Sequence, residues 1–121
     1  MEILVERTAN VAVLRCHGSL DAESVGVFRK TTQTLCQQGV DRFVVDGGAL
    51  TFIDSMGLGA LISLLRRVRG SDGEVKVSAL TPDVRSIFEI TRLNRLFDIC
   101  ATAAQACQKF KKGPADPSSA R

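Results

Sequence analysis

The chain has 121 residues, 45% hydrophobic and 24% charged, with a net charge of +3, the balance of one globular domain with its own core. That charge is too small to argue for nucleic acid, and no apolar run approaches the roughly 18 residues of a membrane helix. Met1-Glu2-Ile3-Leu4-Val5-Glu6-Arg7 lacks the basic-then-apolar pattern of a signal peptide, so a cytoplasmic protein is expected.

Ile3-Leu4-Val5 and Val11-Ala12-Val13-Leu14-Arg15-Cys16 read as two strands joined by a turn at Thr8-Ala9-Asn10. Gly18-Ser19-Leu20-Asp21 ends the second strand, and His17, the single histidine, reads as a surface residue there. Val25, Phe28, Thr32 and Leu35 fall on one face of a first helix that Gly39 closes. Phe43-Val44-Val45-Asp46 has the short apolar form of a buried parallel strand, and Gly47-Gly48 is expected to break it.

Leu50-Thr51-Phe52-Ile53 then runs into Asp54-Ser55-Met56-Gly57-Leu58-Gly59. Asp and Ser cap helix N-termini because a side-chain oxygen accepts an otherwise unpaired backbone N–H. Leu58, Leu61, Ile62, Leu65 and Val68 follow at helical spacing as one inward stripe. Met56, Ala60, Ser63 and Arg67 then fall on the outer side, with Gly59 beside them. Ser55 stands in or before the first turn, near the positive helix end, and Gly57 and Gly59 leave bare backbone open to close approach. Arg66-Arg67-Val68-Arg69 reads as a solvated helix end, where cations are favoured.

Gly70-Ser71-Asp72-Gly73 is a turn and Val75-Lys76-Val77-Ser78-Ala79-Leu80 a strand. Thr81-Pro82-Asp83 caps a third helix, with Val84, Ile87, Phe88 and Thr91 on its core face. Leu96-Phe97-Asp98-Ile99-Cys100 is a last short strand, and residues 102–112 form a last helix. Residues 113–121, rich in proline and serine, read as a disordered tail to a domain of residues 1–112. Cys16, Cys36, Cys100 and Cys107 form no C-x-x-C pair, and one histidine completes no usual zinc set, so reduced thiols and no metal are expected. Strands alternating with about four helices predict a single α/β domain, its mostly parallel sheet opened by an N-terminal hairpin. Such sheets carry their sites at the C-terminal ends of strands, where Asp21 and Ser55 both stand.

Catalysis finds little support. Ser55 has carboxylates at Asp54 and Asp21 but no histidine or lysine base with a reason to be adjacent. Ile53 stands where a G-x-S-x-G elbow needs glycine, and no lysine follows Gly57 and Gly59 as in a phosphate-binding loop. Neither enzyme activity nor a cofactor is expected. On chemistry alone, what remains is that Asp54 and Ser55 cap a helix.

These residues resemble a known family. Ile53-Asp54-Ser55-Met56-Gly57-Leu58-Gly59-Ala60-Leu61 is similar to the phosphorylation-site segment of anti-sigma factor antagonists in the STAS domain family. Gly18-Ser19-Leu20-Asp21 is similar to that family's strand-ending G-x-L-D, and residues 81–99 to its third helix and last strand. The resemblance implies a STAS-like fold over residues 3–112. By it, Ser55 corresponds to the serine that an anti-sigma factor phosphorylates with ATP and a protein phosphatase restores. Asp21 and Asp54 correspond to acidic residues beside that serine. The unphosphorylated protein is then expected to bind the anti-sigma factor and free a sigma factor, with no direct contact to nucleic acid or membrane. A non-switching STAS scaffold in a lipid-transport or stress-signalling assembly is the alternative. The expected partner-binding surface comprises Asp21, Asp54, Met56, Gly57, Gly59, Ala60, Ser63 and Arg67.

Overall fold

The alternation at the N-terminus does produce a hairpin, β1 (Glu2–Thr8) and β2 (Val11–Leu20), which turns through Ala9 at a φ of 54°. After it come α1 (Val25–Gln37), β3 (Arg42–Ile53), α2 (Ser55–Arg69), β4 (Glu74–Ser78) and α3 (Pro82–Ile90). A 3-10 turn (Leu93–Arg95), β5 (Asp98–Cys100) and α4 (Ala103–Lys111) complete the chain. The computed structural model describes residues 1–111, so the tail expected at 113–121 lies outside the described residues.

The five strands lie in chain order, β1 antiparallel to β2 and each later neighbour parallel. Every crossover steps the same way across the sheet, so its right-handed sense puts α1, α2 and α3 on one face. α4 packs on the other. The strands alternate to serve both: Ala12, Leu14, Phe43, Val45, Val75 and Val77 join the core under three helices, whereas Val13 and Val44 pack with Cys100, Ala106 and Phe110. Phe28, Leu61 and Phe88 fill the larger core, and Phe88 meets Phe97 edge-on at 6.2 Å. Each such side chain contributes about 1.5–3 kcal/mol by leaving water.

Charge also fastens α4. Lys76, only 4% exposed, donates to Glu74 at 2.6 Å and to Asp98 at 3.1 Å. Lys109 on α4 reaches the same Asp98 at 3.3 Å, and the Lys76 ammonium lies 5.1 Å from the Phe110 ring. Burial pulls the Lys76 pKa down, but hydrogen bonds to the two carboxylates outweigh it and raise the pKa. All four cysteines are free, Cys16 and Cys100 buried, Cys36 and Cys107 half-buried.

β3 does not break at Gly47-Gly48. It leaves β4 after the Asp46–Ser78 pair but stays on β2 to Ile53, with register shifts opposite His17 and Ser19. At Gly47 the chain passes the end of the Leu80 side chain in the β4–α3 connection and continues as strand. The extension carries the start of α2 beyond the rest of the sheet. β4 stops at Ser78, earlier than expected, and β5 begins only at Asp98, so Leu96 and Phe97, expected in the strand, lie between the 3-10 turn and β5.

Candidate functional site

β2 and β3 end side by side, Leu20 opposite Ile53, and the chain enters α2 after a single residue, Asp54. Asp54 Oδ1 accepts from the Gly57 N–H at 3.0 Å, as an N-cap does. Its Oδ2 accepts from the Ala22 N–H at 3.1 Å, and its own N–H donates to the Leu20 carbonyl at 3.2 Å. Asp54 therefore ties the first turn of α2 to the β2–α1 loop. Within that loop, Asp21 Oδ1 accepts from the Glu23 and Ser24 amides at 3.1 Å, and Oδ2 from the Ser19 hydroxyl at 3.1 Å. Burial pushes the Asp21 carboxyl up, but these bonds together with the Ser24 hydroxyl hold it below its ordinary value. The fold thus gathers Asp21, Asp54 and Ser55 at one end of the sheet, with both carboxylates engaged by backbone.

Ser55 opens α2 and is exposed. Among the described residues, its hydroxyl joins no hydrogen bond. The Ser55 and Met56 amides likewise find no intramolecular acceptor there, while Asp54 satisfies Gly57 with its side chain and Leu58 with its carbonyl. An anion on the Ser55 oxygen would meet those amides and the positive helix end, worth about 0.3–1 kcal/mol, against the charge of Asp54 and Asp21. The two effects offset, so the fold has no need of the free hydroxyl and no reason to lose stability when it is modified.

The two glycines differ. Gly59 has nothing within 4 Å of its would-be Cβ, and so leaves the helix face bare. Gly57 is buried, and a Cβ there would lie 2.4 Å from the Leu20 carbonyl oxygen. The expectation of a partner at Gly57 is therefore corrected: what approaches that backbone is the chain's own β2. Ala60 is corrected as well, since it is 2% exposed and belongs to the core instead of the outer stripe. The buried arc of α2 comprises Gly57, Leu58, Ala60, Leu61, Leu64, Leu65 and Val68. It is turned by roughly 50° from the stripe read off the apolar positions alone. Two contacts cause the turn: α1 packs alongside α2, and Gly57 lets the first turn sink onto Leu20. Ile62, expected inward, comes out half-buried at the edge of the outer face.

Met56, Ser63, Arg66 and Arg67 lie exposed on α2. Arg67 borders α1, where its charge is felt at Cys36. Phe52, not anticipated, is 49% exposed just before Asp54, and Met56 is 48% exposed just after Ser55. The register shift at Gly18–Ser19 breaks the two-residue alternation of β3, burying Leu50 and Ile53, so no periodic signal announces Phe52. His17, read as a surface residue, is half-buried within β2, and its Nδ1 has no partner among the described residues.

Residues 2–106 match the model of the family described as STAS domain. The chain is 27% identical over 104 residues to the anti-sigma-B factor antagonist of Bacillus subtilis, covering 86% of this chain and 94% of that protein. It aligns with the phosphorylated form of the Bacillus cell fate determinant SpoIIAA at a TM-score of 0.72 and 24% identity, covering 90% of this chain and 99% of that one. An anti-sigma factor antagonist from Mycobacterium paratuberculosis aligns at a TM-score of 0.81 and 23% identity, over 89% and 92%. The two structural likenesses establish the fold.

Proposed function

The chain belongs to the STAS domain family, and from that premise we propose that it is an anti-sigma factor antagonist switched by phosphorylation of Ser55. In this reading the unphosphorylated protein binds an anti-sigma factor that is an ATP-dependent serine kinase, and so frees a sigma factor in the cytoplasm. Transfer of the γ-phosphoryl group to the Ser55 oxygen ends the complex, and a protein phosphatase restores it. The chain itself contributes no catalytic group, cofactor or metal; its part is to present Ser55.

The observation that carries the reading is the exposed, structurally idle Ser55 hydroxyl at a helix start whose cap, Asp54, is already complete. A phosphoryl group adds about −1.5 to −2 charges at pH 7. Free in solution, it is met by the helix end and by water. Under a partner, an unpaired buried anion costs several kcal/mol, and each 1.4 kcal/mol is tenfold in affinity. Modification therefore acts on the complex and spares the fold. The partner-facing surface is the bare row of α2, Met56, Gly59, Ser63 and Arg67, extended by Phe52 and Arg66 and bordered by the Asp21–Asp54 loop contact. Phe52 and Met56 supply apolar anchors, and arginine is enriched in interfaces. The name of the Bacillus subtilis relative agrees with this assignment.

The test is the intact mass of the protein purified from its own cells, with and without phosphatase. A form heavier by one phosphoryl group, removed by phosphatase and absent in Ser55→Ala, is expected. Its absence under every growth condition speaks for the non-switching alternative.

A further inference from the structure

At the opposite end of α2, roughly 21 Å from Ser55 along a 15-residue helix, a cleft of about 520 Å3 opens between α2, β4, α3 and the segment leading into β5. Its apolar wall includes Leu65, Val75 and Phe97, all buried. Its rim carries three arginines, Arg69, Arg85 and Arg95, and three carboxylates.

The charges do not cancel. Each carboxylate is already ion-paired: Glu74 and Asp98 share Lys76 at 2.6 and 3.1 Å, Asp98 also holds Lys109 at 3.3 Å, and Glu89 holds Arg85 at 3.8 Å. Arg69 and Arg95 have no carboxylate within ion-pair distance among the described residues. Two exposed guanidiniums therefore face one groove with no ion pair of their own among the described residues. Beside them, Leu96 on the rim is 43% exposed.

We propose that this cleft is a second docking surface, independent of Ser55, for an acidic segment of a partner protein in which carboxylates flank an apolar side chain. The charge selects the carboxylates, which arginine receives as a planar fork. The apolar side chain packs on Leu96 at the rim. A small anion would satisfy the arginines but leave Leu96 in water, whereas a peptide covers it. Arginine beside an exposed apolar side chain is also the composition of interface centres, not of an ordinary solvated rim.

The experiment is fluorescence anisotropy of the 121-residue protein with a fluorescein-labelled octapeptide of alternating glutamate and leucine. Saturable binding is expected, weakened at least tenfold in the double variant Arg69→Ala/Arg95→Ala and unchanged in Ser55→Asp. Both arginines are exposed, so the double variant keeps its fold, which circular dichroism verifies. A lysine–leucine peptide should not bind. The proposal is overturned by failure of the acidic peptide to saturate, by equal affinity in the double variant, or by equal binding of the basic peptide. Complete displacement by inorganic phosphate at submillimolar concentration would reassign the cleft to a small anion and overturn it too.

Discussion

Gly57 and Leu20 approach so closely that no methyl group fits between them: a Cβ on residue 57 would lie 2.4 Å from the Leu20 carbonyl oxygen. That oxygen also accepts the Asp54 N–H, so the obstacle is pinned backbone that cannot swing aside. Gly57→Ala should destabilise the fold by about 3 kcal/mol, the upper range for overpacking. Gly59→Ala, facing open space, should stabilise the helix by up to about 1 kcal/mol while weakening the partner complex. Urea midpoints of the two variants should move in opposite directions, and movement in the same direction contradicts the distinction.

Asp54 caps α2 and holds Ala22 with its two oxygens. Asp54→Ala should therefore cost about 2 kcal/mol, the upper end for losing a cap, because a second amide loses its acceptor as well. Hydrogen exchange should quicken at both the Gly57 and Ala22 amides. Acceleration at Gly57 alone would mean that the tie to the β2–α1 loop is slack.

Neighbouring substitutions on α2 should part company. Ala60→Arg places a charged side chain in the core and should abolish cooperative folding. Ser63→Glu is exposed and should change stability by no more than about 0.5 kcal/mol, yet weaken the partner complex at least tenfold. Thermal melts and calorimetric titration separate the two, and a folded Ala60→Arg protein would return that face to the surface.

The lysine network beneath α4 sets a pH window. Burial raises the Asp98 pKa, but Lys76 and Lys109 outweigh it and hold the group below its ordinary value. A depressed folded-state pKa gives stability that is present above the ordinary carboxylate value near 4 and is lost as pH falls through the folded one. Lys76 is shifted up, so its contribution is full below the ordinary lysine value near 10 and is lost as pH rises through the folded one. The melting temperature should show both limbs, and Lys76→Met should flatten them. An acid limb unchanged in Asp98→Asn would assign it to another carboxylate.

Order, direction and class of the main elements were legible because period and punctuation agreed: Thr81-Pro82 at a helix start, Gly39 after a helix, apolar runs in the parallel strands. The corrected positions are those fixed by contacts between elements. Ala60 is buried because α1 lies beside α2, and nothing in the α2 sequence reports its neighbour. Gly57 looks like an open helix face, yet it is a glycine because the Leu20 carbonyl comes too close for a side chain, and Gly47, which looks like a strand breaker, sits inside a strand that stays paired with β2. Ser55 and Asp54 stood out because capping is local. Phe52 and the basic cleft did not, since one depends on a register shift and the other on four elements meeting.

As proposed, Ser55 acts at an interface and not on the fold. Calorimetric titration of the kinase anti-sigma factor with unmodified and Ser55-phosphorylated protein tests that most directly. At least a hundredfold loss of affinity on phosphorylation, about 2.7 kcal/mol, with an unchanged melting temperature, is the predicted result. Equal affinity of the two forms, or a loss of affinity that follows unfolding, would contradict it.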